Sequence, residues 1–133
     1  MPRVRPDHDA VLLGALRAGV PDGVTVVRLR PNDFLDHLPM VSARTITADA
    51  TRMLRHVTYA EVDVQSWAST PDAASNLDDA CLAALLAAVG RPFAGGYITQ
   101  IDTQSLGTEV RDPDQPGRLY RWQAGYRLTI RPA

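Results

Sequence analysis

Glu61 and Asp63 stand two residues apart in the stretch Arg55 to Trp67 (RHVTYAEVDVQSW). At a period of two they share one face of a strand, and paired carboxylates so placed can move protons or hold a cation. An exposed sheet face or a subunit contact accounts for the same pair without chemistry. Asp7, His8 and Asp9 put three ligand types in a row. Adjacent residues do not converge well on one ion, and acids at that place read as the solvated start of a helix. His37 and His56 have no partner at metal-ligand spacing. Asp78 and Asp79 are expected on the solvent side of a helix, opposite its apolar stripe. Cys81, the single cysteine, sits mid-helix with no histidine near it in sequence, which predicts an inert thiol in the core and excludes an intrachain disulfide. Gly95 and Gly96 follow a helix instead of opening one, so they form a turn and not a phosphate loop. No nucleophile elbow is present. These residues give no catalytic group, no cofactor and no metal.

One charged pattern remains. Arg121, Arg127 and Arg131, with Arg118 nearby, form a basic stripe on the polar side of the last strand. Such a stripe can meet phosphate. The Glu61 and Asp63 face is its expected neighbour, and cross-strand pairing would neutralise it. Trp67 and Trp122 are expected as core or interface aromatics rather than platforms for stacked bases.

The elements that must position these groups are legible from periodicity. In Arg55 to Trp67, Thr58, Ala60, Val62 and Val64 alternate with Tyr59, Glu61, Asp63 and Gln65, as in a strand with one face on a core. Thr70 then caps a helix that has Pro71 at its first position and Asp72 in its first turn. Leu77, Cys81, Ala84, Leu85, Ala88 and Val89 make its apolar stripe, and Gly90 and Pro92 end it. Earlier in the chain, a first helix spans Asp7 to Ala18, strands span Val24 to Leu29 and Met40 to Ile46, and a single helical turn falls around Phe34, Leu35 and Leu38. Thr47 to Arg52 is expected as a polar surface loop. After the long helix come a strand over Tyr97 to Ser105, a loop over 106–117 with two prolines and two glycines, and a closing strand over Leu119 to Arg131. In that last strand Tyr120, Trp122, Ala124, Tyr126, Leu128 and Ile130 want a core, and Gly125 marks a bulge. The sum is one α+β domain over residues 1–133. It has a mixed or antiparallel sheet of about four or five strands with two main helices packed on one face.

Composition narrows the function classes. With 45% hydrophobic residues the chain is globular, and at 133 residues it can build a core without staples. A net charge of −1 gives no general attraction to nucleic acid. No apolar run has membrane-spanning length and the first residues lack the apolar region of a signal peptide, which predicts a protein made in a cytoplasm and apart from membranes. All 14 basic residues are arginine, and aspartate and alanine are abundant, as in coding from a GC-rich genome.

The order of these features resembles a known family. A short N-terminal helix and a strand lead to Pro39, Met40 and Val41. Next comes V-x-x-A-x-V-D-V-Q-x-W (Val57 to Trp67) running directly into a helix, and the chain closes with Y-R-W-Q-A-G-Y-R-L-T-I-R (Tyr120 to Arg131). From about Val24 onward this is similar to the tail terminator proteins of long-tailed siphophages, also called tail-completion or head–tail joining proteins. It is also similar to minor tail proteins encoded near the connector genes of actinobacterial phages, which suits the arginine-only composition. The resemblance implies a virion structural protein, not an enzyme. Such a protein forms a six-fold ring on the head-proximal end of the tail tube, stops tube polymerisation and joins the tail to the head connector. Its partners would be copies of itself, the major tail tube protein and the connector or stopper protein. DNA would pass through the lumen without sequence-specific binding. The protein would reside in the virion tail, after assembly in the host cytoplasm.

A ring needs heterologous contacts. Under the resemblance, loop 106–117 with Arg111, Asp112 and Asp114, and the turn at 47–54, would reach neighbouring subunits, and open sheet edges would pair between them. Glu61, Asp63, Arg118, Arg121 and Arg127 would set the lumen charge. A connector stopper or tail tube subunit is built on a similar plan. A small ligand-binding or enzymatic α+β domain would instead need a pocket with convergent polar groups.

Overall fold

The structure is a computed structural model, in which residues 6–50, 57–111 and 119–133 are described, the side chains of 49 and 50 excepted. Helix α1 (His8–Gly19) starts where the Asp7 side chain accepts a hydrogen bond from the Ala10 amide at 3.2 Å. Its stripe Val11, Leu12, Ala15 and Leu16 is fully buried. Strand β1 (Thr25–Val27) is shorter than its β-branched run suggests. A 3₁₀ turn at Phe34–His37 follows, where a single helical turn is expected. Strands β2 (Met40–Ala50) and β3 (Thr58–Ala68) form a hairpin. Helix α2 (Pro71–Ala88) is capped by Thr70, whose hydroxyl accepts from the Ala73 amide at 3.2 Å. It ends at Gly90, whose φ of +81° only glycine adopts cheaply and whose amide donates to the Ile98 carbonyl at 2.9 Å. The two-residue β4 (Pro92–Phe93), β5 (Gly96–Val110) and β6 (Tyr120–Pro132) complete the chain.

The sheet has six strands in the order β1-β2-β3-β6-β5-β4, against an expected four or five. The extra one is β4, too short to carry any periodicity. The β1–β2 pair is parallel and every other pair is antiparallel. Two expected loops are corrected as far as the described residues reach. Residues 47–50 continue β2 opposite β3, and 106–110 continue β5 opposite β6. Neither TADA nor LGTEV alternates apolar with polar residues. They are extended because a long partner offers them ladder hydrogen bonds, a tertiary cause that local pattern does not report. The irregularity expected at Gly125 lies on the facing strand: β6 is continuous, and β5 shifts register on both sides of Ser105, the residue opposite Gly125.

Both helices pack on one face of the sheet. Ala60, Val62 and Val64 of β3 and Ala124, Tyr126, Leu128 and Ile130 of β6 meet the α1 stripe and Leu77, Cys81, Ala84, Leu85 and Ala88 of α2 in one core. Val89, expected in the α2 stripe, is the C-cap and stands 40% exposed. The helices approach closely at Gly19: a Cβ there would lie 2.5 Å from the Ala84 Cβ and 2.7 Å from its Cα. Among the described residues no helix is long and apolar enough to cross a membrane.

Two polar groups contradict their expected exposure. His8 is buried at the start of α1, and its Nε2 lies 2.6 Å from the Thr58 hydroxyl. Asp78 occupies the α2 stripe between Leu77 and Cys81 and is 7% exposed, whereas its neighbour Asp79 is solvated as expected. The Asp78 carboxylate fills the space that Gly107 of β5 leaves by having no Cβ, and its Oδ1 has no hydrogen-bond partner among the described residues. Burial, and then the Asp79 charge, push the Asp78 carboxyl above the usual aspartate range. The same burial raises the Cys81 thiol to about 12, in line with an inert core thiol.

The sign for Asp78 is that of an acid raised on folding. The native state holds its proton more tightly than the unfolded chain, so this residue's penalty is absent below the unfolded value and grows as pH climbs through the raised native one. Asp78→Asn should therefore raise the melting temperature at neutral pH by a few degrees. It should do so less near pH 4, when melts are followed by circular dichroism at both. An unchanged neutral melt would count against a charged, unpaired Asp78.

Candidate interface face

The face of the sheet away from the helices carries the polar residues singled out by sequence. Asp63 is nearly buried there at 7% exposure. Its Oδ1 accepts from Gln123 Nε2 at 2.7 Å and its Oδ2 from Gln65 Nε2 at 2.8 Å. The Gln65 carbonyl in turn accepts from Arg121 Nη1 at 3.2 Å. Glu61 is exposed and accepts from Thr47 Oγ1 at 3.1 Å and Gln104 Nε2 at 3.3 Å. The two carboxylates therefore serve separate sets of donors and do not converge. Among the described residues no three potential metal ligands come together. Asp63 is fixed by two amides and Glu61 by one amide and one hydroxyl, an arrangement suited to presenting charge at fixed points.

The expected charge pairing with the arginine stripe is only half realised. The ladder sets Arg127 opposite both Glu61 and Asp102. Yet its guanidinium lies over the Tyr59 ring at 4.1 Å, and neither Arg121 nor Arg127 makes an ion pair among the described residues. Both side chains are half-buried. Arg111 is exposed, with Nε 3.9 Å from Glu109 Oε1. Asp112, Asp114 and Arg118 lie outside the described residues, as do 51–54 of the expected turn and the rest of the expected arm.

Sequence reasoning missed the densest cluster. Trp67 is 3% exposed on this outer face, and its Nε1 donates to Ser42 Oγ at 3.2 Å. Phe34 of the 3₁₀ turn meets it edge-on at 5.6 Å. The guanidiniums of Arg30 and Arg121 each stand 5.0 Å from its ring. A cleft of about 240 Å³ opens beside it, lined among others by Arg28, Arg44 and Asp63. Only Arg121 of these arginines was singled out. The others come from the segment just after β1 and from β2, and join Trp67 through a register that sets Ser42 opposite Gln65.

The sheet's edges are largely open. β1 covers only Met40 to Ser42 of β2, and β4 covers only Gly96 and Tyr97 of β5. Beyond those residues each strand has one side without a strand partner among the described residues. Asp9 closes one place on the β2 edge by accepting the Thr45 amide at 2.7 Å while also bonding Arg28 at 2.7 Å. Burial of Asp9 acts against ionisation, but its hydrogen bonds to Thr45 and Arg28 outweigh that and hold the carboxyl below its usual value. Both strands bulge, β2 at Ile46 and β5 at Leu106 and Gly107. Ile46 is 62% exposed and Leu106 75% exposed. A bulge re-aims its side chain, and here it turns two large apolar groups outward.

The class this defines is a small α+β domain with two helices on one face of a six-stranded mixed sheet, a polar outer face and two open edges. No protein-family model and no curated protein sequence matches the chain. Among solved structures the fold is similar to a chain in the virion of a native gene transfer agent (GTA) particle, with a TM-score of 0.52 and 16% sequence identity. The match covers 93% of this chain and 87% of that one. At that identity the likeness is one of fold.

Asp63 is the keystone of the outer face, so Asp63→Ala should cost about 1–3 kcal/mol, because two half-buried amides lose their acceptor. Asp63→Asn should cost less, since its remaining carbonyl still serves one of them. Chemical denaturation of the three proteins measures the difference; equal stability of all three would show that the amides find other partners.

Proposed function

We propose that this chain is a virion structural protein, without enzymatic activity, that forms a ring on the head-proximal end of a phage tail tube. In that role it ends tube polymerisation and joins the tail to the head connector. Its partners are then further copies of itself, the tail tube protein and the connector or stopper protein, with DNA passing through the lumen without sequence readout.

The observation that carries this reading is the pair of open edges, β2 and β5, on opposite sides of one sheet. An open edge invites pairing with another chain, and two different edges on opposite sides make a heterologous contact, the kind that closes rings. The outward-turned Ile46 and Leu106 supply apolar anchors at those edges. The hairpin ends also lie at opposite ends of the sheet. Ala50 and Thr58 sit at the end marked by Ile130, and Val110 and Tyr120 at the end marked by Ala68. The likeness in fold to a chain of a virion, over nearly all of both chains, supports the setting. The mixed charges of Glu61, Asp63, Asp102, Arg121 and Arg127 suit a lumen wall that must let DNA slide.

Light scattering of the purified protein over a range of concentrations, with imaging of the largest species, tests this. Six copies of a 14.5 kDa chain give a particle of about 87 kDa with a central hole. If the free protein is monomeric, the ring is expected to form on the ends of tail tubes. A closed two-fold dimer that does not bind tube ends would overturn the proposal. Ile46→Asp and Leu106→Asp should each weaken assembly by tenfold or more, roughly the effect of losing one apolar anchor. Neither should lower the melting temperature of the monomer, because both side chains are already exposed.

A further inference from the structure

The cleft beside Trp67 holds more positive charge than the protein compensates. Its lining includes Arg28, Arg30, Arg44 and Arg121 but only one carboxylate, Asp63. That carboxylate is engaged by the amides of Gln65 and Gln123. Arg28 is paired with Asp9 at 2.7 Å. Arg30, Arg44 and Arg121 have no carboxylate within ion-pair distance among the described residues. Two of the three are also held in place. Arg30 lies 4.2 Å from the Phe34 ring and 5.0 Å from that of Trp67, and Arg121 reaches the same indole at 5.0 Å while donating to Gln65. Guanidiniums fixed against rings have already lost much of the side-chain freedom that binding would cost, and their fork geometry fits planar two-oxygen anions.

We propose that this cleft is a docking site for the carboxylates of an acidic protein segment. A phosphate chain fits it less well, for three reasons. The Trp67 indole is already occupied by Arg30, Arg121 and Phe34, so it offers no ring face to stack a base. Along the same outer face stand Glu61 and Asp102, which would repel a strand of phosphates continuing past the cleft. The chain as a whole carries a net charge of −1 and has no field to gather nucleic acid. A single acidic side chain, or two on one loop, needs only the cleft itself. Its remaining hydrogen bonds can be met at the polar rim, which includes Ser42 and Gln65. The inference needs no ring and stands apart from the assembly proposal.

The test uses the full chain with Trp122→Phe, which leaves Trp67 as the single tryptophan reporter beside the cleft. This variant is titrated with hexaglutamate, with a thymidylate hexanucleotide and with inorganic phosphate, following Trp67 emission. Hexaglutamate should give a saturable change that salt weakens. Arg30→Gln with Arg44→Gln should lower its affinity by roughly tenfold or more. Arg131→Gln, at an exposed arginine outside the cleft, should leave it unchanged. If thermal melts show that the double variant does not fold, Arg44→Gln alone carries the test, since its side chain is exposed and its expected loss is several-fold. No saturable change with hexaglutamate overturns the proposal. So does tighter binding of the nucleotide, equal binding of phosphate, or an equal loss in Arg131→Gln.

Discussion

The unbroken antiparallel ladder between β3 and β6 fixes the position of everything else. It runs from Thr58 opposite Ile130 to Ala68 opposite Tyr120 without a register shift. Because side chains alternate strictly, that single register sends Ala60, Val62, Val64, Ala124, Tyr126, Leu128 and Ile130 to the helices and leaves Tyr59, Glu61, Asp63, Arg121 and Arg127 outside. A slip by one residue would bury the charges and expose the core. The irregularities of the sheet are accordingly confined to the flanking strands β2 and β5, where a bulge redirects one side chain without disturbing the centre.

The two faces of this sheet obey different rules. The helix face is a packed apolar core in which His8 is bonded to Thr58 while Asp78, with its Oδ1 unpartnered among the described residues, is lodged where Gly107 makes room. The outer face is a polar surface whose order comes from side-chain hydrogen bonds. Gln123 and Gln65 hold Asp63, Gln104 and Thr47 hold Glu61, and aromatic rings rather than carboxylates hold Arg30, Arg121 and Arg127. An arginine against a ring keeps its full charge, whereas one against a carboxylate is neutralised. The outer face therefore retains local excesses of each sign, positive around Trp67 and negative around Glu61 and Asp102. For a protein proposed to work by assembling with others, that mosaic is a set of addresses: apolar anchors at the edges, and separate charge patches on the face between them.

How much of this the sequence carried depends on whether the cause was local. Helix α2 was legible to within a residue or two, because Thr70, Pro71, a stripe of period 3.6 and Gly90 all act within a turn or two of one another. The core faces of β3 and β6 were legible for the same reason: alternation is written along each strand. The far halves of β2 and β5 were not, since 47–50 and 106–110 become strand through the partner they meet. The burial of His8 and Asp78 was equally hidden, because each depends on an element distant in sequence, β3 for one and β5 for the other.

The proposed site divides along the same line. Sequence alone put Glu61 and Asp63 on one face of their strand and Arg121 and Arg127 on one face of theirs, since that follows from a period of two. Only the tertiary structure decided what those charges do. Strand order brought Arg30 and Arg44 to Trp67, and register gave Asp63 to glutamines rather than to arginine. The short lengths of β1 and β4 left β2 and β5 open. Each of these is a contact between segments many residues apart, and their relative placement is set by how one core closes rather than by any pattern within a segment.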